Sequence, residues 1–380
     1  MPKLLIVTTV ASTLRAFLLP YARYFRKMGW TVDAMSNGVS DCEKCREAFD
    51  ECHEMPFSRS PLSSRNLESS KIREIVESGK YDIVHVHTPV ASFVTRFALR
   101  KLRKTPNCPA IIYTAHGFHF HQNGNFFKNA VFAALERLAG DWTDHTITIN
   151  EEDYQAALAL KIAPRERLSL LPGIGLDFGR YSPSSVGVAE IKKFHEKLKL
   201  EKNDELFLMA AEFIPRKRHK DALHALAGTG RENFRLAFAG TGPLEGAMKR
   251  LAAKLGVESQ VHFLGERTDV PLLMLSSRAT ILPSAQEGLS RSVMESICLG
   301  IPVLGADVRG IRELLTVPSR GALFPMGNPA ALAAAMILSV EDPITAKPTP
   351  DPLWNIDHLL PEYEKIYRHC LETKYKILGF

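Results

Sequence analysis

Short runs of consecutive apolar residues alternate along this chain with longer stretches in which apolar residues recur every three or four positions. KLLIVTTV at the amino end is such a run, and LRAFLLPYARYFRKMGW after it carries the spacing of an amphipathic helix ending at Gly29. WTVDAMS, YDIVHVH, PAIIYTAHG and HTITIN predict further strands, while FKNAVFAALERLAG and EEDYQAALAL predict helices. Apolar runs without polar alternation belong to strands covered on both faces, and strands alternating with helices predict βαβ units in a parallel sheet. LPGIGLDFGRYSPSSVGVAE then concentrates Gly, Pro and Ser, the chemistry of a linker. The alternation restarts beyond it with LFLMAAEF, HKDALHALAG, RLAFAGTG, LEGAMKRLAAKLG, VHFLG, ATILPS, VMESICLG and IPVLGAD. The tail DPLWNIDHLLPEYEKIYRHC predicts a terminal helix.

A chain of 380 residues exceeds what one hydrophobic core usually serves. The expected fold is α/β, with two Rossmann-like, doubly wound domains facing across a cleft. Residues 1–180 form the first, 181–350 the second, and 351–380 a terminal helix packing back on the first. In open parallel sheets, ligands bind outside the carboxyl ends of the strands. The residues expected there are Thr8, His87, His116, Asn150, Glu212, Gly240, Gly265, Ser284 and Asp307.

Composition narrows the partners. Hydrophobic residues make up 45% and charged residues 24%, as in an ordinary soluble protein. A net charge of +6 favours anionic partners, without the aromatic-and-basic pattern of a nucleic-acid groove. The amino end lacks the apolar length of a secretory signal, and no run approaches the ~20 apolar residues that span a bilayer. A cytoplasmic location is expected, with reduced cysteines. Cys42, Cys45, Cys52 and His53 in DCEKCREAFDECHE offer a zinc ligand set. The pattern is solitary, and a polar helix carrying reduced cysteines is the preferred reading; no metal is assigned. Arg15, Arg23, Arg26 and Lys27, together with Arg100–Lys104, read either as solvated faces or as a surface for an anionic membrane.

Three stretches carry candidate chemistry. In EGLSRSVMESICLGIPVLGADVRG, Glu287 and Glu295 stand with seven residues between them, across a loop-to-helix junction. Gly288 leaves backbone N–H groups open to a diphosphate, with Ser290 and Ser292 as caps or further donors. Taken alone, Glu287 reads equally as a turn carboxylate and Glu295 as a helix-surface acid. The basic cluster PRKRHK follows LFLMAAEF at a strand end, where Arg216 and Lys217 suit phosphate. TAHGFHFHQNG and HVH bring five histidines together, of which His116 is favoured as a cleft residue; His119 and His121 are read as structural or acceptor-side groups.

These stretches resemble a known family. EGLSRSVMESICLGIPVLGADVRGIREL is similar to the E-x7-E signature of retaining glycosyltransferases of the GT-B class called family 4. TAHGFHF, ITINEED, LPGIGLD, FIPRKRHK, AGTGPL and FLGERTDV resemble further landmarks of that family in the same order, over nearly the whole chain. VHVHTPVAS, YTAHGFHF and TINEEDY resemble bacterial enzymes that build capsules, exopolysaccharides and lipid-linked oligosaccharides. The resemblance implies a UDP-sugar donor on the second domain and a glycan or lipid-linked acceptor on the first, with no cofactor or metal. Glu287 would meet sugar hydroxyls and Glu295 the ribose. Lys217 and Arg216 would meet the diphosphate, and Gly288, Leu289 and Ser290 would offer backbone N–H groups. Gly265 and Arg267 would border the base, and His116 would approach the reacting carbon. Thr8, His87 and Asn150 would lie on the acceptor side. Two positions depart from the family pattern: Glu212 stands where many members carry Arg, and TTVASTLR replaces a glycine-rich loop.

The implied reaction moves a hexose or N-acetylhexosamine from a UDP-sugar to an acceptor hydroxyl with retention, in synthesis of bacterial surface glycans. Two rival readings are a sugar-nucleotide epimerase, which needs no acceptor, and a catalytically silent sugar-nucleotide-binding subunit.

Overall fold

Two parallel sheets organise the chain in the computed structural model, which describes residues 1–57, 65–105, 108–121 and 124–378. The first contains β1 (Lys3–Val10), β2 (Thr31–Asn37), β3 (Cys52–Glu54), β4 (Ile83–His87), β5 (Ala110–Ala115), β6 (His145–Thr148) and β7 (Leu168–Leu170). Their order is β3-β2-β1-β4-β5-β6-β7, with every neighbour parallel. Successive β1 residues feed opposite cores: Leu4 and Ile6 join one cluster, Leu5 and Val7 the other. Two covered faces explain why these strands lack polar alternation.

The second sheet contains β8 (Glu205–Ala210), β9 (Phe234–Ala239), β10 (Val261–Phe263), β11 (Ala279–Leu282), β12 (Val303–Ala306) and β13 (Gly321–Phe324). The order is β10-β9-β8-β11-β12-β13, again parallel throughout. The chain thus forms two units, Leu176–Asn355 and Met1–Gly175 joined by Ile356–Phe380. Leu176 donates its N–H to the Trp354 carbonyl at 2.7 Å where the chain enters and leaves the second unit.

The terminal helix Ile356–Leu378 belongs to the first unit because of its side-chain spacing. Leu359, Leu360, Tyr363, Tyr367, Cys370 and Leu371 recur at helical period and enter the core with Tyr21, Phe25 and Trp30. Tyr363 meets Tyr21 edge-on at 5.0 Å, and Tyr367 stacks on Phe25 at 4.9 Å.

Several elements escaped the periodicity argument. Pro89–Leu99 is buried on so many sides, including Ser92, Thr95 and Arg96, that it shows no polar face. Pro329–Glu341 is alanine-rich and lacks apolar contrast. Arg65–Gly79 and the short β3, β7 and β13 were likewise not anticipated. Helix Val188–Lys197 lies at the end of the expected linker, beginning beyond Gly187, whose N–H donates to Glu190 at 3.1 Å. The cysteine expectation needs a correction: Cys42 and Cys45 are joined in a disulfide, so these two thiols are neither reduced nor free for zinc. The polar helix is only Glu43–Ala48, and Cys52 and His53 enter β3. Beside them Asp33 is engaged by Lys3 at 3.1 Å and by the Tyr81 hydroxyl at 2.6 Å.

Removing an aromatic ring from a closed core costs the transfer energy plus a cavity. Tyr363→Ala is therefore expected to destabilise the first unit by about 3–5 kcal/mol, read as a lower urea midpoint in the fluorescence of Trp30 and Trp142. An unchanged midpoint would contradict the packing role of the terminal helix.

Candidate functional site

A parallel sheet opens a crevice where neighbouring strands send their connections to opposite faces. In the second sheet that point lies between β8 and β11. After β8 the chain makes the turn Pro215–Lys217, and after β11 it runs through Ser284 to Ser290. The two segments are tied together, since Ala285 donates its N–H to the Arg216 carbonyl at 2.8 Å. Lys217 Nζ donates to Glu287 Oε1 at 2.6 Å, and Arg216 Nη1 donates to Glu287 Oε2 at 3.2 Å and to the Gln286 carbonyl at 2.7 Å. Burial pushes the Glu287 pKa up, but Lys217 and Arg216 outweigh it and hold the carboxyl below its ordinary value. Glu287 is therefore an ion at neutral pH.

The rest of the basic cluster goes elsewhere. Arg218 sits at φ 55°, turns to Asp221 and binds it at 2.5 and 3.1 Å. His219 is buried, with its ring stacked on Phe213 at 4.1 Å. Glu212 is exposed. The loop Gly240–Gly242 lies directly on this backbone: a Cβ on Gly242 would stand 2.8 Å from the Phe213 N and O atoms.

Helix Arg291–Cys298 follows the Glu287 loop. Ser290 occupies its cap position, but its hydroxyl makes no cap bond and instead meets the Ser292 hydroxyl at 3.3 Å. Its N–H donates to the Gly310 carbonyl at 2.9 Å. The Ser290 N–H, expected to face a phosphate, is thus engaged within the loop in this structure. Gly310 sits at φ 74° and has no room for a side chain, since a Cβ would overlap the Gly288 carbonyl. Arg309, also buried, donates from Nε to the Glu287 carbonyl at 3.3 Å. Leu289 is half-buried between these groups.

Glu295 belongs to a separate ionic group. It accepts from Arg291 at 2.8 Å, and with burial it pushes the Tyr181 hydroxyl to a raised pKa. Gly265 holds φ 68° and accepts the Gly240 N–H at 2.8 Å. Arg267 is clamped by Asp269 at 2.7 and 2.5 Å.

In the first sheet the corresponding junction lies between β1 and β4, where the Thr9 and Thr88 hydroxyls meet at 2.7 Å. His87 ends β4 and His116 follows β5, and their Nδ1 and Nε2 atoms share a hydrogen bond of 2.9 Å. The His85 ring lies 4.0 Å from that of His87 and bonds Thr114 at 2.8 Å and Tyr367 at 2.5 Å. Burial lowers the pKa of all three, that of His116 to about 4, so the chain of imidazoles is neutral at neutral pH. His87 Nε2 has no polar partner among the described residues. Of the group, only His116 is partly accessible.

Of the residues expected on the acceptor side, Thr8 falls inside a strand and Asn150 just past the end of β6. Thr8 lies within β1, fully buried, with its hydroxyl on Ser36 at 3.0 Å. Asn150 is a buried cap that accepts the Asp153 N–H at 2.8 Å. Asp153 in turn accepts the Phe118 N–H at 3.1 Å, which pins the loop after His116. His119 meets the Phe132 ring at 5.1 Å, and the His121 backbone donates to Asn129 Oδ1 and accepts from Asn129 Nδ2. Sequence reasoning missed Arg291, Tyr181, Arg309 and Gly310. The last two stand in a strand-end stretch and were findable by that rule, whereas Tyr181 is too far from Glu295 in sequence to signal its role.

Comparison with known proteins adds to this geometry. Residues 17–174 match the model of Glycosyltransferase Family 4, and residues 190–349 that of Glycosyl transferases group 1. The putative glycosyltransferase EpsD of Bacillus subtilis (strain 168) is 33% identical over 334 residues, covering 87% of this chain and 85% of the relative. An Escherichia coli UDP-Gal:alpha-D-GlcNAc-diphosphoundecaprenol alpha-1,3-galactosyltransferase is 22% identical over 296 residues, 75% of this chain and 74% of that one. The crystal structure of Anabaena HepE in complex with UDP superposes with a TM-score of 0.73 at 18% identity, over 98% of this chain and 99% of that one. The two doubly wound sheets and the matches along both halves agree, and the chain belongs to the group 1 glycosyltransferases with a family 4 amino-terminal half.

Proposed function

We propose that this glycosyltransferase moves a hexose or N-acetylhexosamine from a UDP-sugar to a glycan acceptor carried on a lipid diphosphate, with retention at the anomeric carbon. One observation carries the reading: Lys217 and Arg216 converge on the buried carboxylate of Glu287 at the carboxyl ends of β8 and β11. The names of a UDP-galactose transferase and of a UDP complex among the similar proteins support UDP as the nucleotide. The lipid-linked acceptor draws its support from the name of that same transferase.

As the glycosidic bond to the diphosphate breaks, negative charge gathers on the leaving oxygens. Lys217 and Arg216 are assigned to meet it, as preorganised electrostatic stabilisation. Glu287 holds the two cations in place before the donor arrives and takes the sugar hydroxyls when they turn to phosphate. Gly288 and Leu289 are assigned backbone contacts to the donor, Glu295 the ribose, and Gly265 with Arg267 the edge of the base. His116 is assigned the transferred sugar, with neutral His87 fixing its ring. The positive charge comes from protein groups, so the reaction as proposed draws on no metal.

The primary test offers a panel of UDP-sugars and measures UDP release with and without a lipid-diphosphate glycan. Acceptor-stimulated release is expected, and linkage analysis of the product should show the α configuration. Release that ignores the acceptor, or an inverted product, would overturn the reading. Lys217→Ala should lower kcat by roughly 10²–10³-fold and should also lower the thermal midpoint, because it leaves buried Glu287 with one cation fewer. Activity should persist in excess chelator.

The pH profile follows from two groups that work in their unprotonated forms. Glu287 stays ionised above its lowered pKa, and His116 stays neutral above about 4. Each depressed pKa preserves the working state at neutral pH and loses it as pH falls through the folded value. kcat/KM should therefore be nearly level from about pH 8 to about pH 6 on the acid–base rationale and fall on further acidification. An acid limb centred near the ordinary histidine value would contradict the assignment of His116.

A further inference from the structure

The helix Phe126–Gly140 is turned inside out relative to an ordinary surface helix. Its only carboxylate, Glu136, points inward, accepting from buried Arg96 at 2.9 Å and from the Tyr113 hydroxyl at 3.0 Å. Phe132 packs inward, but four other large apolar side chains point outward: Phe126 and Phe127 are each 78% exposed, Val131 59% and Leu138 49%. Phe127, Val131, Ala134 and Leu138 recur at helical spacing, so they form one stripe along the outer face. Asn125 fixes where the helix starts, since its side chain accepts the Lys128 N–H at 3.2 Å. The two phenylalanines are thereby held at the first turn and not left to collapse inward.

The charged side chains that share this outer face are cationic. Lys128 and Arg137 are exposed, and the next exposed acid along the chain is Asp141, past the helix end. At the far end of the stripe the pattern continues onto a neighbouring element. Trp142 meets Phe93 at 6.0 Å and Phe97 at 5.8 Å, and the Arg100 guanidinium lies 3.5 Å over the Phe97 ring. Arg103 donates to the Trp142 carbonyl at 3.3 Å. Half-buried aromatics beside arginines are the composition of a lipid interface, where the rings enter the headgroup layer and the cations meet phosphate. No helix among the described residues is long and apolar enough to cross a membrane, so any lipid contact of these helices is made by lying on the surface.

We infer that the outer face of Phe126–Gly140 docks in the plane of an anionic phospholipid bilayer. A second copy of this chain fits the same face less well. A two-fold pairing of antiparallel helices would bring Lys128 of one copy toward Arg137 of the other, with no carboxylate between them. Of the two basic runs that composition suggested, the site borders Arg100 and Arg103 of the second. Arg26 is occupied by Asp50 at 2.9 Å and Arg103 by Asp144 at 2.8 Å, which reduces what those runs can offer a membrane.

Docking would have a consequence for the acceptor. The loop following His116 is fastened to this helix, because Asn129 donates to the His121 carbonyl at 2.8 Å and Phe132 meets the His119 ring. A helix lying on the bilayer therefore brings that loop to the depth at which a lipid headgroup carries its glycan.

The experiment is vesicle co-sedimentation at moderate salt, comparing phosphatidylglycerol with phosphatidylcholine. Wild-type protein should partition onto phosphatidylglycerol and hardly onto phosphatidylcholine. Phe126→Ser with Phe127→Ser should reduce that partition at least tenfold. Lys128→Glu with Arg137→Glu should do the same and flatten the salt dependence. All four positions are exposed, so thermal midpoints near that of wild type should accompany the losses. Undiminished binding by the serine variant, or no wild-type binding to phosphatidylglycerol, would overturn the inference. A dimer in light scattering that the serine variant abolishes, with no vesicle binding, would give the face to a second copy. Neither nucleotide nor acceptor is present in this assay, so its failure leaves the transfer reading untouched.

Discussion

Glu287 is a carboxylate in a place where burial alone would make it neutral, and what keeps it charged organises its surroundings. Lys217 reaches it from the end of β8 and Arg216 from the same turn, while Arg309 reaches its carbonyl from the segment after β12. Three strand ends are thereby drawn to one residue. An uncompensated buried charge is strongly unfavourable, so Lys217 and Arg216 are held beside this carboxylate.

The first sheet solves the opposite problem. Its strand ends carry neutral histidines: His85, bonded to Tyr367, lays its ring against His87, which is bonded to His116. One unit offers cations and the other offers neutral donors and acceptors.

The sequence made the alternation of strands and helices legible because buried parallel strands leave uninterrupted apolar runs. Pro89–Leu99 and Pro329–Glu341 stayed hidden because a helix buried on most sides, or built of alanine, has no contrast to read. At the site, the strand-end rule pointed to Lys217, Glu287 and His116, and the structure places them beyond the carboxyl ends of β8, β11 and β5. It could not say that Ser290 spends its N–H on Gly310, or that Thr8 and Asn150 spend their polar groups internally. Those commitments depend on partners remote in sequence. The disulfide between Cys42 and Cys45 was also out of reach, since residue spacing is compatible with thiols, a metal or a bond.

The terminal helix gives the molecule an order in time. Tyr363 and Tyr367 complete a core whose other walls are Tyr21, Phe25 and Trp30, and Tyr367 also anchors His85. A ribosome delivers that helix only after all of Leu176–Asn355 has been made. The wall that this helix supplies to the first core is therefore the last part of that core to be made.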